Sequence, residues 1–211
     1  METRLKDKLF LLSINQQGGN IRQRYNFNTL IFYSSLFDLA SMGLLRIEDG
    51  RWNILKQDTC DPVLNEVLRL ILPKSGQKTQ WVLASIPYRI TKLFGKQVNL
   101  MQTLKLIQVQ DIKFLGMKLG NSFRISKPNQ IKPDLLQLER VLIYGRKPGL
   151  QTLLLVYLLG VAGLHRHLFG SNELKSRAHF RYKQLRKTTF ENEPETYSVI
   201  LKELLKNMKA N

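Results

Sequence analysis

Between Leu150 and Leu164 the chain reads LQTLLLVYLLGVAGL, fifteen positions without a charge and apolar on every side of any helix drawn through them. A helix of that kind has no face to offer to water and must be buried. The run falls short of the roughly 18 to 20 apolar residues that cross a bilayer. It is bracketed by Arg146-Lys147-Pro148-Gly149 and His165-Arg166-His167. The pattern therefore predicts the central core helix of a globular fold rather than a membrane span. Gly160 and Gly163 suit close helix contacts in either setting and do not discriminate.

Other helices are legible from apolar spacing and caps. Thr3 caps an opening helix with Leu5, Leu9 and Leu12 on one face, and Gln16-Gln17-Gly18-Gly19 breaks it. A second helix is expected from about Asn28 to Met42, with Gly43 as its C′ residue. Asp61-Pro62 reads as an N-cap with proline at the first helical position, and Pro73 stops the helix it starts. Trp81 falls on a short helix beginning near Gln80. A long helix is expected from about Asn99 to Lys118, through Leu100, Leu104, Ile107 and Leu115, with Gly120-Asn121 ending it. Asp134 and Gln137 form a capping box for a helix over Leu135 to Tyr144. Two more helices follow the rod, one over Glu173 to Lys187 and an amphipathic one over Thr196 to Met208.

Strand signals are fewer. In LLRIEDGRWNIL, residues 44 to 55, an Asp-Gly pair separates two short alternating runs and predicts a hairpin. Ser122 to Ser126 alternates as a short strand. The expected fold class is mainly α, a single globular helical domain over residues 1–211 around a buried central helix, with short β-hairpins.

Charge narrows the partner. The 211 residues carry 33 Lys plus Arg against 16 Asp plus Glu, a net charge of +17, so the surface field favours an anionic partner, either a membrane or a nucleic acid. The single cysteine, Cys60, excludes an internal disulfide framework. No signal peptide is read at the N-terminus, and the expected place is the cytoplasm.

From Phe27 to Leu72 the order of features, a helix ending LFDLASMGLLRIEDG, a hairpin and then TCDPVLNEVL, resembles the Golgi phosphoprotein 3 family. The family's corresponding segment reads Thr-Gly-Asp, two residues, Leu-Asp-Glu and then Ala-Leu. Thr59, Asp61, Leu64, Glu66 and Leu68 match it, while Cys60, Asn65 and Val67 depart. The likeness continues through MKLG, DLLQLERVL and LLLVYLLGVAGLHRHLF, covering nearly the whole chain.

The resemblance implies a peripheral membrane protein that binds phosphatidylinositol 4-phosphate on the cytoplasmic face of a membrane, the Golgi in a eukaryote. It also implies an adaptor role toward membrane proteins. The family's headgroup site is a basic pocket with a tryptophan and arginines on two helices. Those positions fall near Gln23 to Tyr25, near Phe32 or Tyr33, and near Lys105 and Gln108, and of these Lys105 keeps the charge. The expected headgroup residues are therefore Arg22, Arg24, Tyr25, Lys105 and Lys113, since guanidinium groups bind phosphate bidentately and an aromatic ring supports the headgroup. The family's membrane-entering hairpin corresponds to Gly120 to Ile131, which gives Phe123, Arg124, Ile125 and Lys127 as membrane contacts. The block Lys175 to Lys187 adds Arg181 and Lys183, where each basic residue near an anionic surface contributes about 1 kcal/mol. A solvated charged face is the plainer reading of both basic groups.

No catalytic chemistry is read. His165 and His167, two apart, point about 200° away from each other on a helix and cannot share a metal as an i, i+4 pair does. Asp61 and Glu66 read as a cap and a dipole partner rather than an acid/base pair, and there is no phosphate loop or nucleophile elbow. Neither a cofactor nor a metal is expected. The rival reading is a nucleic-acid-binding protein, because helix, helix and hairpin over residues 27 to 55 resemble a winged helix. Its recognition helix, Asn28 to Met42, carries no Lys or Arg, which argues against major-groove binding.

Overall fold

A computed structural model describes residues 3–15, 19–21, 27–55, 58–85, 90–114, 117–187 and 194–207. In chain order these form α1 (Leu5–Ser13), α2 (Phe27–Ser41), β1 (Leu45–Glu48), β2 (Arg51–Ile54), α3 (Pro62–Ile71), α4 (Thr79–Ser85) and α5 (Leu93–Thr103). There follow β3 (Ile107–Phe114), β4 (Met117–Ile125), α6 (Lys132–Leu142), α7 (Leu150–Val161), α8 (Asn172–Arg186) and α9 (Glu195–Asn207). The fold is mainly α, with two separate two-stranded antiparallel sheets, β1-β2 and β3-β4, among the described residues. The chain divides into two compact units: Met1–Thr3, Asp7–Arg24 and Gln97–Arg186 form one, and Arg4–Lys6, Tyr25–Lys96 and Lys187–Asn211 the other.

In the unit that holds α2, this helix is almost wholly enclosed, with Phe27 and every residue from Leu30 to Leu39 buried. It stops at Gly43, whose φ of 69 places the left-handed residue that a helix C′ position favours. Asp49 and Gly50 then both take positive φ, 52 and 67, as a two-residue type I′ hairpin requires. The hairpin buries Leu45, Ile47 and Trp52 and exposes Arg46 and Glu48, the alternation read from its sequence. Asp61 caps α3 through Oδ1, accepting from Val63 N and Leu64 N at 2.9 and 3.1 Å. α9 closes over α2 and β1: Thr196 Oγ1 accepts Ile47 N–H at 2.8 Å, and the Tyr197 ring stacks on Phe37 at 6.3 Å.

The other unit is built on the apolar rod. α7 buries Leu154 through Leu159 and Val161, as its all-round apolar sequence demands. Among the described residues no helix is long and apolar enough to cross a membrane. Gly160 lets α8 approach: a Cβ there would overlap the Tyr182 ring. Tyr157 OH donates to the Leu185 carbonyl on the same neighbouring helix.

Two expected helices differ from the structure. The long helix drawn over Asn99 to Lys118 ends at Thr103, because Lys105 turns left-handed with φ 54 and the chain then alternates as β3. Leu100, Leu104 and Ile107 fit a helical period, but Ile107, Val109 and their glutamines fit a period of two, and pairing with β4 decides between them. The strand expected over Ser122 to Ser126 is accordingly the end of the longer β4. The capping box at Asp134 is also absent. α6 begins earlier, at Lys132, without a side-chain cap, and Asp134 sits in its first turn 2.8 Å from Lys8 Nζ.

Candidate functional site

The loop from α6 to α7 and the outer face of α8 form a basic surface carrying two exposed aromatic rings. α6 ends at Leu142, and Gly145, at φ 71, turns the chain outward toward Arg146 and Lys147. Arg181 holds this turn against α8, donating from Nη2 to the Gly145 carbonyl at 3.1 Å and from Nη1 to Gln184 at 3.1 Å. Tyr144 and Phe180 adjoin the two ends of that bond in the chain and are 69% and 64% exposed. Arg146 and Lys147 follow Tyr144 in the loop, Arg177 and Lys183 flank Phe180 on α8, and all four are exposed, with Arg177 Nη2 2.8 Å from Glu173 Oε1. Arg177, Phe180 and Lys183 lie three apart on α8, which puts them on one face, with Ala178, Tyr182 and Leu185 buried on the other. Rings with basic neighbours suit the boundary between headgroups and acyl chains.

The sequence-predicted contacts divide. Lys183 belongs to this surface, whereas Arg181 is a strut whose guanidinium is engaged with Gly145 and Gln184. Phe123 and Ile125, expected as membrane contacts, are buried, at 6% and 8%. Phe123 meets Phe10 edge-on at 6.3 Å, and its amide donates to the Gly19 carbonyl, so it roots the hairpin in the core. Arg124 and Lys127, on either side, are exposed. The hairpin itself runs from Ile107 to Ile125, not from Gly120 to Ile131, and among the described residues its exposed large apolar side chains are Ile112 and Met117, at 42% and 63%.

Of the expected headgroup residues, Arg22, Arg24 and Tyr25 lie outside the described residues. Lys105 and Lys113 are both exposed. Lys105 precedes β3, and the six residues from Ile107 to Lys113 span roughly 20 Å of the strand at about 3.3 Å per residue, so the two lysines do not close over one headgroup. The register instead brings Lys105 to the root of the hairpin with Arg124 and Lys127, through the Ser126 N to Leu106 O bond of 2.9 Å.

His165 pairs with His179 rather than His167, Nε2 to Nδ1 at 3.0 Å. Burial, then the His179 charge and Arg166, push the His165 pKa down to about 4. Burial also lowers His179, with Arg166 and Lys183 adding to the effect. Among the described residues no group of three or more His, Cys, Asp or Glu is placed to hold a metal. Cys60 is exposed and free.

A family model described as Golgi phosphoprotein 3 (GPP34) matches residues 5–207, nearly the full length. The chain belongs to the Golgi phosphoprotein 3 family. No curated protein matches it in sequence. For a Golgi phosphoprotein 3 family chain, two residues of the basic surface escape a reading of the sequence: Tyr144, because it precedes a helix-ending glycine, and Phe180, because it lies inside a basic block. The i, i+3 spacing of Arg177, Phe180 and Lys183 is the available clue.

Proposed function

We propose that this protein is a non-enzymatic peripheral membrane protein that docks reversibly on the cytoplasmic face of an anionic membrane. The observation that carries the reading is the exposure of Tyr144 and Phe180 among Arg146, Lys147, Arg177 and Lys183. Each basic side chain near an anionic surface contributes about 1 kcal/mol, Arg177 less because Glu173 shares its charge at 2.8 Å, and the two rings supply the second, apolar component that stable attachment requires. Family membership and the net charge of +17 support the same reading.

The outer end of the β3-β4 hairpin, with Ile112 and Met117, is the second proposed point of contact. The headgroup preference is for a phosphoinositide such as phosphatidylinositol 4-phosphate, with Lys105, Arg124 and Lys127 meeting the phosphates. An adaptor role toward membrane proteins in trafficking or retention completes the proposal. The nucleic-acid alternative loses its recognition element, since α2 is buried over Leu30 to Leu39.

Sedimentation with phosphatidylcholine vesicles containing increasing anionic lipid or phosphatidylinositol 4-phosphate, beside DNA and RNA binding over a salt series, tests the reading. Binding that rises with anionic lipid and weakens with salt is expected. Absence of vesicle binding at low salt, with retained nucleic-acid binding, overturns it.

A further inference from the structure

His165 and His179 face each other through nitrogens that can share one proton but not two. His165, in the loop that follows α7, is buried. Its ring meets two rings of α8, His179 at 5.3 Å and 19° and Tyr182 at 4.8 Å and 34°. All three belong to the unit built on α7. His165 Nδ1 is buried without a hydrogen-bond partner among the described residues. It is therefore the bare nitrogen of the neutral ring, since a proton there would leave a buried donor unpaired. This assigns the proton to Nε2, which donates to His179 Nδ1 at 3.0 Å. His179, half-buried, keeps its own proton on Nε2.

A further proton turns His179 Nδ1 from acceptor into donor and sets two N–H groups against each other. The contact then survives only if the His165 proton moves to the unpartnered Nδ1. Arg166 and His167 act on the pair from the loop, and Lys183 from α8, where Tyr182 is the other titratable neighbour. Among the described residues no carboxylate acts on either imidazole. In free solution the pair therefore resists protonation. An anionic surface changes the balance, because Lys183, one turn from His179, and Phe180, next to it in the chain, belong to the basic-aromatic surface. A proton on His179 then meets negative charge rather than cations alone.

We propose that this pair couples docking to protons: His179 takes up a proton when the basic-aromatic surface meets an anionic membrane, and binding tightens as pH falls. The inference rests on the membrane reading and adds a regulation to it. A bound state that holds more protons than the free state gains affinity on acidification, by the reciprocity of linked equilibria. One added positive charge near the surface is worth roughly fivefold.

The full chain is sedimented at low salt with phosphatidylcholine vesicles containing phosphatidylglycerol, whose phosphodiester stays ionised, over a series from pH 7.5 to 5.5. Affinity about fivefold higher at pH 5.5 is expected. Calorimetry in two buffers of different ionisation enthalpy should show proton uptake on binding. The three histidines of the chain separate the source. His179→Gln should abolish the gain and His167→Gln should keep it. His165→Leu, which removes the hydrogen bond to His179, should move the gain to higher pH. Circular dichroism at each pH establishes that every protein is folded. Equal affinity at the two ends of the series, a gain that persists in folded His179→Gln or disappears with His167, or an unmoved curve in folded His165→Leu overturns the inference and leaves the docking reading in place. Absence of sedimentation across the series overturns both.

Discussion

Lys6 Nζ lies 2.7 Å from Asp61 Oδ2, with the two side chains 0% and 2% exposed. The same oxygen takes Arg4 at 3.0 Å, while Oδ1 caps α3. One carboxylate thus starts a helix and neutralises a buried ammonium. Asp61→Ala should cost about 3–5 kcal/mol, because it withdraws this carboxylate from a fully buried lysine and the cap with it. Asp61→Asn should cost less, since the amide oxygen still caps Val63 and Leu64. Urea denaturation midpoints check both; a loss under about 1 kcal/mol in Asp61→Ala would contradict the assignment.

Gly160→Ala is expected to destabilise by about 1–3 kcal/mol, as overpacking does. The added methyl would occupy the space of the Tyr182 ring, which also meets His165 at 4.8 Å and Tyr157 at 6.4 Å. Thermal melts measure this, and Tyr182→Leu in the same chain should recover part of the loss by making room.

The His165 and His179 pair predicts an acid-sensitive fold. The His165 pKa in the fold, about 4, lies below its unfolded value near 6.5. The unfolded chain therefore binds the proton more readily between those values. Stability from this residue is complete above about pH 6.5 and is lost progressively as pH falls toward 4, by up to about 3 kcal/mol. Melting temperatures from pH 7.5 to 4.5 should fall in wild type and flatten in His165→Leu; parallel curves would remove His165 as the cause.

Buried and exposed residues of the hairpin separate stability from membrane contact. Phe123→Ala should destabilise by about 3–5 kcal/mol, and Leu155→Ala in α7 by about 2–5 kcal/mol, each leaving the vesicle affinity of the folded fraction unchanged. Ile112→Asp with Met117→Asp should do the reverse, weakening vesicle binding by about tenfold at near wild-type stability. Paired denaturation and sedimentation assays distinguish the two classes.

What is legible in the sequence follows from how local each signal is. The rod Leu150 to Leu164 admits only burial, and Asp61-Pro62 and Asp49-Gly50 specify a cap and a turn by their own backbone chemistry. The start of β3 reads as helix because Leu100, Leu104 and Ile107 satisfy a helical period up to the point where Lys105 turns left-handed, and β4 supplies the partner that decides. Phe123 illustrates the limit for the site: an aromatic residue in a basic stretch looks like a membrane contact, and only Phe10 and Gly19 reveal it as core. Lys105 and Lys113 look close as neighbours in sequence, yet an extended strand carries them apart.

The most direct test of the membrane reading is the partition of the Arg177→Glu, Lys183→Glu double variant onto phosphatidylcholine vesicles of fixed anionic lipid content, beside wild type, with both proteins shown to be folded. Removal of two positive charges and addition of two negative ones at the proposed surface predicts binding at least about tenfold weaker. Equal partition of the folded variant and wild type would contradict docking through this surface.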